Sequence, residues 1–385
     1  MAETIRFGEA GGNRLMTSAA LLVRETPALP AAAIAKALLA WYDRDRRDLP
    51  WRAPPGKASD PYGVWLSEIM LQQTTVKAVI PYYGAFLARW PTVAALAKAP
   101  REDVLSAWAG LGYYSRARNL HECAKAVAGR LGGKFPADPA QLIELPGIGP
   151  YTAAAIAAIA FNGRAMPVDG NVERVVARLA AIEEPLPAVK SRLKALAEGL
   201  TPKARTGDFA QAMMDLGATV CTPRRPSCMI CPLKDLCQGR RAEIAETLPR
   251  RTPKPERPLR HGIAFVAVNE RGDILLRRRP DKGLLGGMSE VPSTLWVEDW
   301  VAAEDAIRQA PVKARWFPMP GAVSHTFTHF RLGLLVYRAH VRNNPALTLW
   351  ARAEDCRWVH RDALKPEALP SVMRKVIAHA LEDME

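Results

Sequence analysis

Four of the six cysteines in this 385-residue chain lie within one short segment. Cys221, Cys228, Cys231 and Cys237 follow the spacing Cys-x6-Cys-x2-Cys-x5-Cys in CTPRRPSCMICPLKDLC. Because reducing compartments keep thiols free, this spacing indicates a ligand set for a metal centre rather than a disulfide framework. The pattern leaves three classes open: a metal-stapled DNA-binding protein, a redox protein, or an enzyme whose chemistry lies elsewhere.

Two carboxylates lie in settings that give them opposite chemistry. Glu68, in VWLSEIMLQQTT, shares a helical face with Val64, Trp65 and Leu71. Desolvation on that face raises its pKa and favours a protonated general acid; the alternative is a Glu at the edge of an amphipathic helix. Asp169, in PVDGNVERVVARL, is either a helix cap or an anion that the helix N-terminus keeps ionised to oppose a cation. A neutral acid beside a charged base is the division of labour in glycosidic cleavage.

A third candidate is LPGIGP at 145–150, directly before the helical run YTAAAIAAIAF. Gly147 and Gly149 permit a tight turn with exposed backbone N–H groups, and the helix N-terminus adds positive potential. Such a loop binds a phosphate without any side-chain charge, although the same residues also form ordinary turns. The net charge of +14 favours the phosphate interpretation, because a basic excess attracts polyanions.

The candidate residues above lie in parts of the chain whose hydrophobic patterns predict different domains. Residues 31–247 carry apolar residues at helical spacing, which predicts an all-α domain, after a leader at 1–30 that we expect to be flexible. The basic, proline-rich segment 248–260 predicts an extended linker. Residues 261–385 switch to strand patterns, in GIAFVAVNERGDILLRRRP and FRLGLLVYRAHV, and become helical again from Ser371. They predict an α+β domain around an antiparallel sheet.

Composition argues against a disordered chain or a membrane-spanning one. The chain is 49% hydrophobic and 24% charged, which is ordinary for globular cores. No run of about 18 apolar residues is present, and the first residues lack the pattern of a signal peptide. We therefore expect no membrane partner, and nucleic acid is the leading partner class.

The cysteine spacing, with Pro232 after the third cysteine, resembles the [4Fe–4S] loop of the helix-hairpin-helix DNA glycosylases. That family includes endonuclease III and the adenine glycosylases of the MutY type. Zinc is the minority interpretation, since structural zinc sites more often form two knuckles with a longer spacer. The resemblance implies that the four cysteines hold a [4Fe–4S] cluster. A cluster there fixes the intervening loop and holds Arg224 and Arg225 outward toward a DNA backbone.

The resemblance begins near residue 34 and is dense as far as Thr247. It implies hydrolysis of the N-glycosidic bond of adenine in DNA, in which Glu68 protonates the leaving base and Asp169 stabilises the cationic sugar. Tyr151 and Asn171 are implied to support this site. The other positions implied to contact the base or the DNA in this domain are Arg47, Trp51, Gln73, Thr74, Tyr113 and Gln211.

Base extrusion needs something to fill or wedge the gap in the stack. Gln73 and Tyr113 are the candidates, and we expect one of Tyr113 and Tyr114 to pack in the core instead. Arg116 and Arg118, in the same YYSRARNL segment, are expected to meet phosphates.

Tyr151 also bears on the reaction type. In family members that cut the DNA strand, a lysine at this place attacks the sugar as a Schiff-base amine. The tyrosine therefore favours a monofunctional glycosylase. Two alternatives stay open: an endonuclease III-like glycosylase and lyase acting on oxidised pyrimidines, and a non-catalytic metal-stapled DNA-binding protein.

The second domain opens with LLRRRPDKGLLGGMSEVP, which resembles a Nudix-type domain. The following VEDWVAAEDAIRQAP lacks the REx2Ex2G metal-binding motif, so we expect the fold without pyrophosphatase activity. In MutY-type enzymes a Phe-Ser-His turn in this domain reads 8-oxoguanine, and HTFTHF places Phe327, Thr328 and His329 there. Threonine keeps the hydroxyl and adds a β-branched methyl group.

The implied partner is duplex DNA with A opposite 8-oxoguanine or guanine, and the implied protein is a cytoplasmic, nucleoid-associated bacterial monomer.

Overall fold

The computed structural model describes residues 29–253, 256–280, 282–299, 302–351, 355–365 and 367–382. The expected leader at 1–30 lies outside the described residues apart from Leu29 and Pro30, and so do positions 254 and 255 of the expected linker. Within the described ranges, no helix combines the length and the apolar character that crossing a bilayer requires.

Helices form almost all of the regular structure before residue 248. In the described part of that region they are α1 (Ala31–Asp45), α2 (Pro61–Leu71), α3 (Val76–Arg89), α4 (Val93–Lys98), α5 (Arg101–Ala107), α6 (Tyr114–Arg130), α7 (Pro139–Ile143), α8 (Pro150–Phe161), α9 (Gly170–Leu179), α10 (Lys190–Leu200), α11 (Thr206–Thr219) and α12 (Gln238–Arg241). Short 3-10 turns lie on either side of α12, at Cys228–Ile230 and Ala245–Thr247. The helical pattern predicted for this region is thus observed.

The helices enclose two apolar cores that meet at α8. The first core is built from α2 to α8 and includes Trp65, Phe86 and Trp108. The second is built from α1, α9, α10 and α11 together with the segment around Leu233. Successive residues of α8 belong to different cores, Ala157 to the first and Ala158 to the second. A site between α2 and α9 therefore lies at the junction of the two cores.

Helix α2 is positioned by its first residues and by burial along nearly its whole length. The Asp60 carboxylate accepts hydrogen bonds from the backbone N–H groups of Tyr62 and Gly63, and Pro61 occupies the first helical position. All residues from Tyr62 to Met70 are buried. A carboxyl group in this stretch of the helix is therefore largely removed from bulk water.

The region after residue 258 is built on a mixed sheet. Its described strands are β1 (Leu259–Asn269), β2 (Asp273–Arg278), β3 (Ser289–Glu290), β4 (Phe317–Pro318), β5 (Val323–Thr326), β6 (Arg331–Val341) and β7 (Cys356–His360). The order is β3-β2-β1-β6-β4, with β5 also on β6 and β7 also on β2. Helix α13 (Ala303–Ile307) is short, and α14 (Ser371–Leu381) packs against β1, β5 and β6.

The prediction of a purely antiparallel sheet is wrong at its centre. Strands β1 and β6 run parallel, in register from Leu259 opposite Arg331 to Asn269 opposite Val341. Parallel strands require a long connection, and the chain between these two strands supplies it. The predicted hairpin of β1 and β2 is antiparallel, and the C-terminal helix starts at Ser371 as predicted.

Candidate active site

Glu68 lies on α2 and is almost completely removed from water, with an exposed fraction of 6%. Burial raises the pKa of Glu68 to about 7, although hydrogen bonding from Tyr151 opposes the rise. The charge of Asp169 raises this pKa further and that of Arg52 lowers it. The direction of the shift is the one predicted from the apolar helix face, and the carboxyl group can give up a proton near neutral pH.

Asp169 caps the N-terminus of α9. One carboxylate oxygen accepts hydrogen bonds from the backbone N–H groups of Asn171 (2.9 Å) and Val172 (2.8 Å). The other oxygen accepts a hydrogen bond from the Asn171 side-chain amide (2.7 Å). The capping interpretation is therefore correct, and it fixes the orientation of a carboxylate at the positive end of a helix.

Tyr151, in the first turn of α8, lies between these two carboxyl groups. Burial raises the pKa of Tyr151 well above its ordinary value, and the charges of Glu68 and Asp169 add to the rise. The phenol therefore stays neutral, and its single hydroxyl proton can be donated either to Glu68 or to the Met214 sulfur, which lies 3.4 Å from the hydroxyl oxygen. The structure thus brings together the four residues predicted at the chemical centre: Glu68, Tyr151, Asp169 and Asn171.

Beside Glu68 is a small cavity that contains further predicted residues. Arg47, Trp51, Glu68 and Gln211 all line it. The Trp51 ring packs edge-on against Tyr83, with ring centroids 5.5 Å apart. An aromatic face, an amide and a protonated carboxyl group around one cavity suit a flat heteroaromatic base that must be held by its edge.

An ion-pair network forms the wall of this cavity, and the sequence did not predict its acidic member. Asp215 has no exposed surface, and it accepts hydrogen bonds from Arg52 Nη1 and Nη2, both at 2.6 Å. The backbone N–H of Arg47 donates to the same carboxylate at 3.1 Å. Asp215 stands four residues after Gln211, so both lie on one face of α11. A carboxylate inside the mostly apolar run FAQAMMDLGA was the available signal, since a buried charge requires a partner.

The residues predicted to enter the DNA stack are at the tips of two loops. Gln73 is exposed with φ of 56°, and Tyr113 is 52% exposed with φ of 47°. Tyr114 is buried, so one tyrosine of the pair packs in the core as expected.

The prediction that Arg116 meets phosphates is wrong, because its side chain is turned inward to backbone carbonyls. Arg118 donates to the carbonyl oxygen of Gly286.

The glycine loop joins α7 to α8 as a helical hairpin. Gly147 has φ of +77°, and a Cβ atom there would meet the Asn119 side chain at 2.7 Å, so only glycine fits. Gly149 precedes α8, whose N-terminus has no side-chain cap, and open space surrounds it. The N–H groups of this helix start are therefore available to an anion. The loop borders a cleft of about 1000 Å³ in whose wall Tyr151 lies.

The four cysteines of the spacing motif line one cavity. Among the described residues, no three His, Cys, Asp or Glu side chains converge closely enough for a single metal ion. A zinc ion would need each sulfur at about 2.3 Å. Four cysteine thiolates are also the ligand set of a [4Fe–4S] cluster, to which these four side chains would be ligands.

A buried cation beside these cysteines supports the same assignment. Arg178 is 1% exposed; its Nη1 donates to the Cys221 sulfur (3.2 Å) and to the Thr222 carbonyl (2.8 Å). Its side-chain partners in the described structure are this sulfur and backbone carbonyls, with no carboxylate. Because a buried charge is normally compensated, the missing negative charge fits an anionic thiolate cluster.

The loop between the first two cysteines projects its arginines as expected. Arg224 and Arg225 are exposed, and the Thr222 hydroxyl donates to the Arg224 carbonyl (3.0 Å). The backbone N–H of Ser227 closes the loop onto Val220 (2.9 Å).

A second arginine missed by the sequence reasoning, Arg174, donates to Asn171 Oδ1 and to the Cys221 carbonyl, both at 2.8 Å.

The predicted recognition turn lies between β5 and β6, apart from the residues above. Thr328 and His329 are exposed at its tip. The backbone N–H of Phe327 donates to the Phe330 carbonyl (2.9 Å), and the two rings stack with centroids 4.8 Å apart. Arg257 Nε donates to the Thr328 carbonyl (3.1 Å). The turn is thus anchored by its aromatic residues and leaves a hydroxyl and an imidazole free for a ligand.

Glu68 should reduce stability at alkaline pH. Because the pKa is raised in the folded state, the contribution of the protonated group to stability is complete below the unfolded-state pKa near 4.5, and it is lost as pH rises through the folded-state pKa of about 7. That shift corresponds to roughly 3 kcal/mol. We expect Glu68→Gln to raise the melting temperature of the helical region by about 5–10 °C at pH 8 and to change it little at pH 4. Calorimetry at both pH values measures this, and an equal shift at both would contradict it.

Comparison with known proteins gives three matched regions. Residues 66–202 match the HhH-GPD superfamily of base excision DNA repair proteins, residues 221–237 the iron-sulfur binding domain of endonuclease III, and residues 263–379 the NUDIX domain.

Relatives match over most of the chain. The adenine DNA glycosylase of Homo sapiens is 37% identical over 398 residues, covering 88% of this chain and 72% of its own length. That of Rattus norvegicus is 38% identical, with coverage of 88% and 76%. That of Mycolicibacterium smegmatis is 45% identical over 218 residues, with coverage of 56% and 73%. Among solved structures, a thermostable thymine-DNA glycosylase is 31% identical with a TM-score of 0.49, covering 55% of this chain and 97% of its own.

Proposed function

Because the chain belongs to the adenine DNA glycosylase family, we propose that it hydrolyses the N-glycosidic bond of adenine mispaired with 8-oxoguanine or guanine in duplex DNA. The observation that carries the proposal is the pairing of a buried Glu68, whose pKa is raised to about 7, with a capped carboxylate at the start of α9. This is the arrangement that protonation of a leaving base and stabilisation of a sugar cation require.

Glu68 is the proposed general acid. An adenine extruded from the stack would enter the cavity lined by Arg47, Trp51 and Gln211, with its edge toward the Glu68 carboxyl group. Proton transfer to a ring nitrogen makes the base a neutral leaving group. The Asp215 ion pairs hold Arg47 and Arg52 in the cavity wall, so these groups are fixed before the base enters.

Asp169 is the proposed counter-charge for the sugar. As the glycosidic bond breaks, positive charge develops on the sugar ring, and a fixed carboxylate stabilises it without reorganisation. Asn171 fixes that carboxylate through its amide, while Tyr151 adjoins both acidic groups as a neutral donor. Tyr151 carries no amine, which favours a monofunctional glycosylase over a lyase.

The segment 221–237 matches an iron-sulfur binding domain and carries a [4Fe–4S] cluster, and its proposed ligands are Cys221, Cys228, Cys231 and Cys237. When bound, the cluster ties the four thiolates into one rigid unit. Arg178 compensates its charge, and Arg224 and Arg225 are proposed to contact the DNA backbone. The α7–α8 hairpin is the second proposed contact with the DNA backbone, in which the loop of Gly147 and Gly149 binds a phosphate.

The chain is proposed to divide its tasks between two domains. Residues 31–247 form the proposed glycosylase domain, 248–260 the proposed linker, whose last two residues already pair in β1, and 261–385 the Nudix-like domain proposed to read 8-oxoguanine through Phe327, Thr328 and His329. Gln73, Thr74 and Tyr113 are proposed to occupy the stack around the extruded base. We propose a cytoplasmic, nucleoid-associated bacterial enzyme that acts as a monomer.

One experiment tests the proposed reaction against its alternatives. The protein is incubated with duplexes that contain A opposite 8-oxoguanine or an oxidised pyrimidine, and strand breaks are measured before and after alkali. We expect breaks in the 8-oxoguanine duplex after alkali only. Breaks without alkali in the pyrimidine duplex would indicate the lyase, and tight binding without abasic sites would indicate a non-catalytic binder.

His329→Ala should weaken the preference for 8-oxoguanine over guanine. The exposed imidazole can donate one hydrogen bond to the damaged base, and one such contact contributes about 1–3 kcal/mol of discrimination. We expect the ratio of excision rates for A opposite 8-oxoguanine and A opposite guanine to fall about tenfold. His340→Ala, at an exposed histidine of β6, is the matched control. Unchanged discrimination in His329→Ala would remove this residue from the recognition site.

A further inference from the structure

Arg116 is a buried arginine that links two loops far apart in sequence. Its exposed fraction is 8%, and its guanidinium lies between the end of α2 and the turn before α6. Nη1 donates to the carbonyl oxygens of Ile69 (3.0 Å) and Met70 (2.9 Å). These carbonyls belong to the last turn of α2, where helical partners are missing and the helix dipole is negative.

The other terminal nitrogen of the Arg116 guanidinium, Nη2, reaches both loops. Nη2 donates to the Thr74 hydroxyl (3.1 Å) and to the carbonyl oxygens of Leu111 (2.9 Å) and Gly112 (3.2 Å). Thr74 follows Gln73, and Gly112 precedes Tyr113. One planar group thus fixes the spacing between the loop that carries Gln73 and the loop that carries Tyr113.

Both loops hold a strained residue at the tip, which must be stabilised by its surroundings. Gln73 and Tyr113 have φ of 56° and 47°, in the left-handed region that non-glycine residues rarely adopt. The Arg116 guanidinium also lies 5.5 Å from the centroid of the Tyr113 ring and 5.2 Å from that of Trp108. Among the described residues no carboxylate pairs with Arg116, so its geometry is set by the two loops themselves.

We propose that Arg116 is a positioning residue for base extrusion, holding Gln73 and Tyr113 at the separation that the opened DNA stack requires. The inference rests on the proposed function, because it assigns these two side chains to the DNA gap. Lysine cannot substitute for arginine here, since one ammonium group cannot donate to the end of α2 and to the 111–112 turn in a fixed fork.

The test uses full-length holoprotein and a duplex with 2-aminopurine opposite 8-oxoguanine, whose fluorescence rises when the probe base leaves the stack. Arg116→Lys should reduce the fluorescence rise at saturating protein and slow single-turnover excision of adenine about tenfold. Thr74→Val removes the hydroxyl that accepts from Arg116 Nη2 (3.1 Å) and donates to the Gln72 carbonyl (3.2 Å). It should change both quantities in the same direction by about threefold.

A double-mutant cycle separates positioning from general loss of stability. If Arg116 acts through Tyr113, Arg116→Lys in a Tyr113→Ala background should slow excision less than twofold further. Val127→Ala, a fully buried change on the same helix, is the matched control for stability and should leave the fluorescence rise unchanged.

Additive effects in the cycle, or a loss of fluorescence rise in Val127→Ala at equal melting temperature, would overturn the inference. A normal fluorescence rise in both single variants, Thr74→Val and Arg116→Lys, would also overturn it. Failure of the proposed function itself is seen separately, as absence of excision by the unmodified protein.

Discussion

Glu68→Gln is expected to slow release of adenine from a mispair with 8-oxoguanine by about 10²–10⁴-fold, the contribution of a positioned proton donor. Glutamine has nearly the same shape, so the buried helix α2 and the cavity beside it should be preserved. The amide cannot deliver a proton to the leaving base. Single-turnover kinetics with saturating protein measures the loss, and fluorescence anisotropy should give unchanged DNA affinity.

Two observations would verify the role of Glu68. Because the acid must be protonated, kcat/KM should fall as pH rises through about 7 in the unmodified protein, and this limb should disappear in Glu68→Gln. Glu122→Gln makes the same chemical change at an exposed position of α6 and should keep excision within twofold. An excision rate in Glu68→Gln close to that of the control would contradict the assignment.

Asp169→Asn is expected to slow excision by about 10²–10³-fold while the fold is retained. Asparagine is as good a helix cap as aspartate, so the bonds from the N–H groups of Asn171 and Val172 can remain. The negative charge that would oppose the developing sugar cation is lost, and removal of one preorganised electrostatic group has an effect of this size. Single-turnover rates and melting temperatures, measured together, separate the two roles.

The matched control for this change is Asp138→Asn. Asp138 caps α7 in the same way, by accepting from the backbone N–H of Ala140 (3.1 Å), but it is exposed and does not line the cavity beside Glu68. It should keep both the melting temperature and the excision rate at saturating protein. If Asp169→Asn behaved like Asp138→Asn, Asp169 would be a cap and nothing more.

Much of the site could be predicted because its signals are local. The burial of Glu68 follows from the neighbouring Val64 and Trp65, and the direction of its pKa shift follows from burial. The cap at Asp169 follows from its place before VERVV, and the tight hairpin turn follows from the two glycines. Whether these residues have the proposed catalytic roles stays a prediction.

The parts that could not be predicted depend on contacts between distant segments. Asp215 pairs with Arg52, 163 residues away, and nothing near either residue specifies the other. Arg116 stands among polar residues at the start of α6 and therefore resembles a surface arginine. It is buried because the carbonyl groups at the end of α2 need donors. The parallel pairing of β1 and β6 likewise depends on the whole connection between them.

The junction of two cores at α8 has a consequence for a protein that is made on the ribosome one residue at a time. Glu68 lies on α2, whose apolar side chains belong to the first core, and Asp169 caps α9, whose apolar side chains belong to the second. The second core also needs α1, which is synthesised early but packs against α9 to α11, which emerge late. A nascent or half-folded chain therefore holds the proposed acid without its proposed counter-charge. Such a chain should lack the proposed excision activity until both cores have formed.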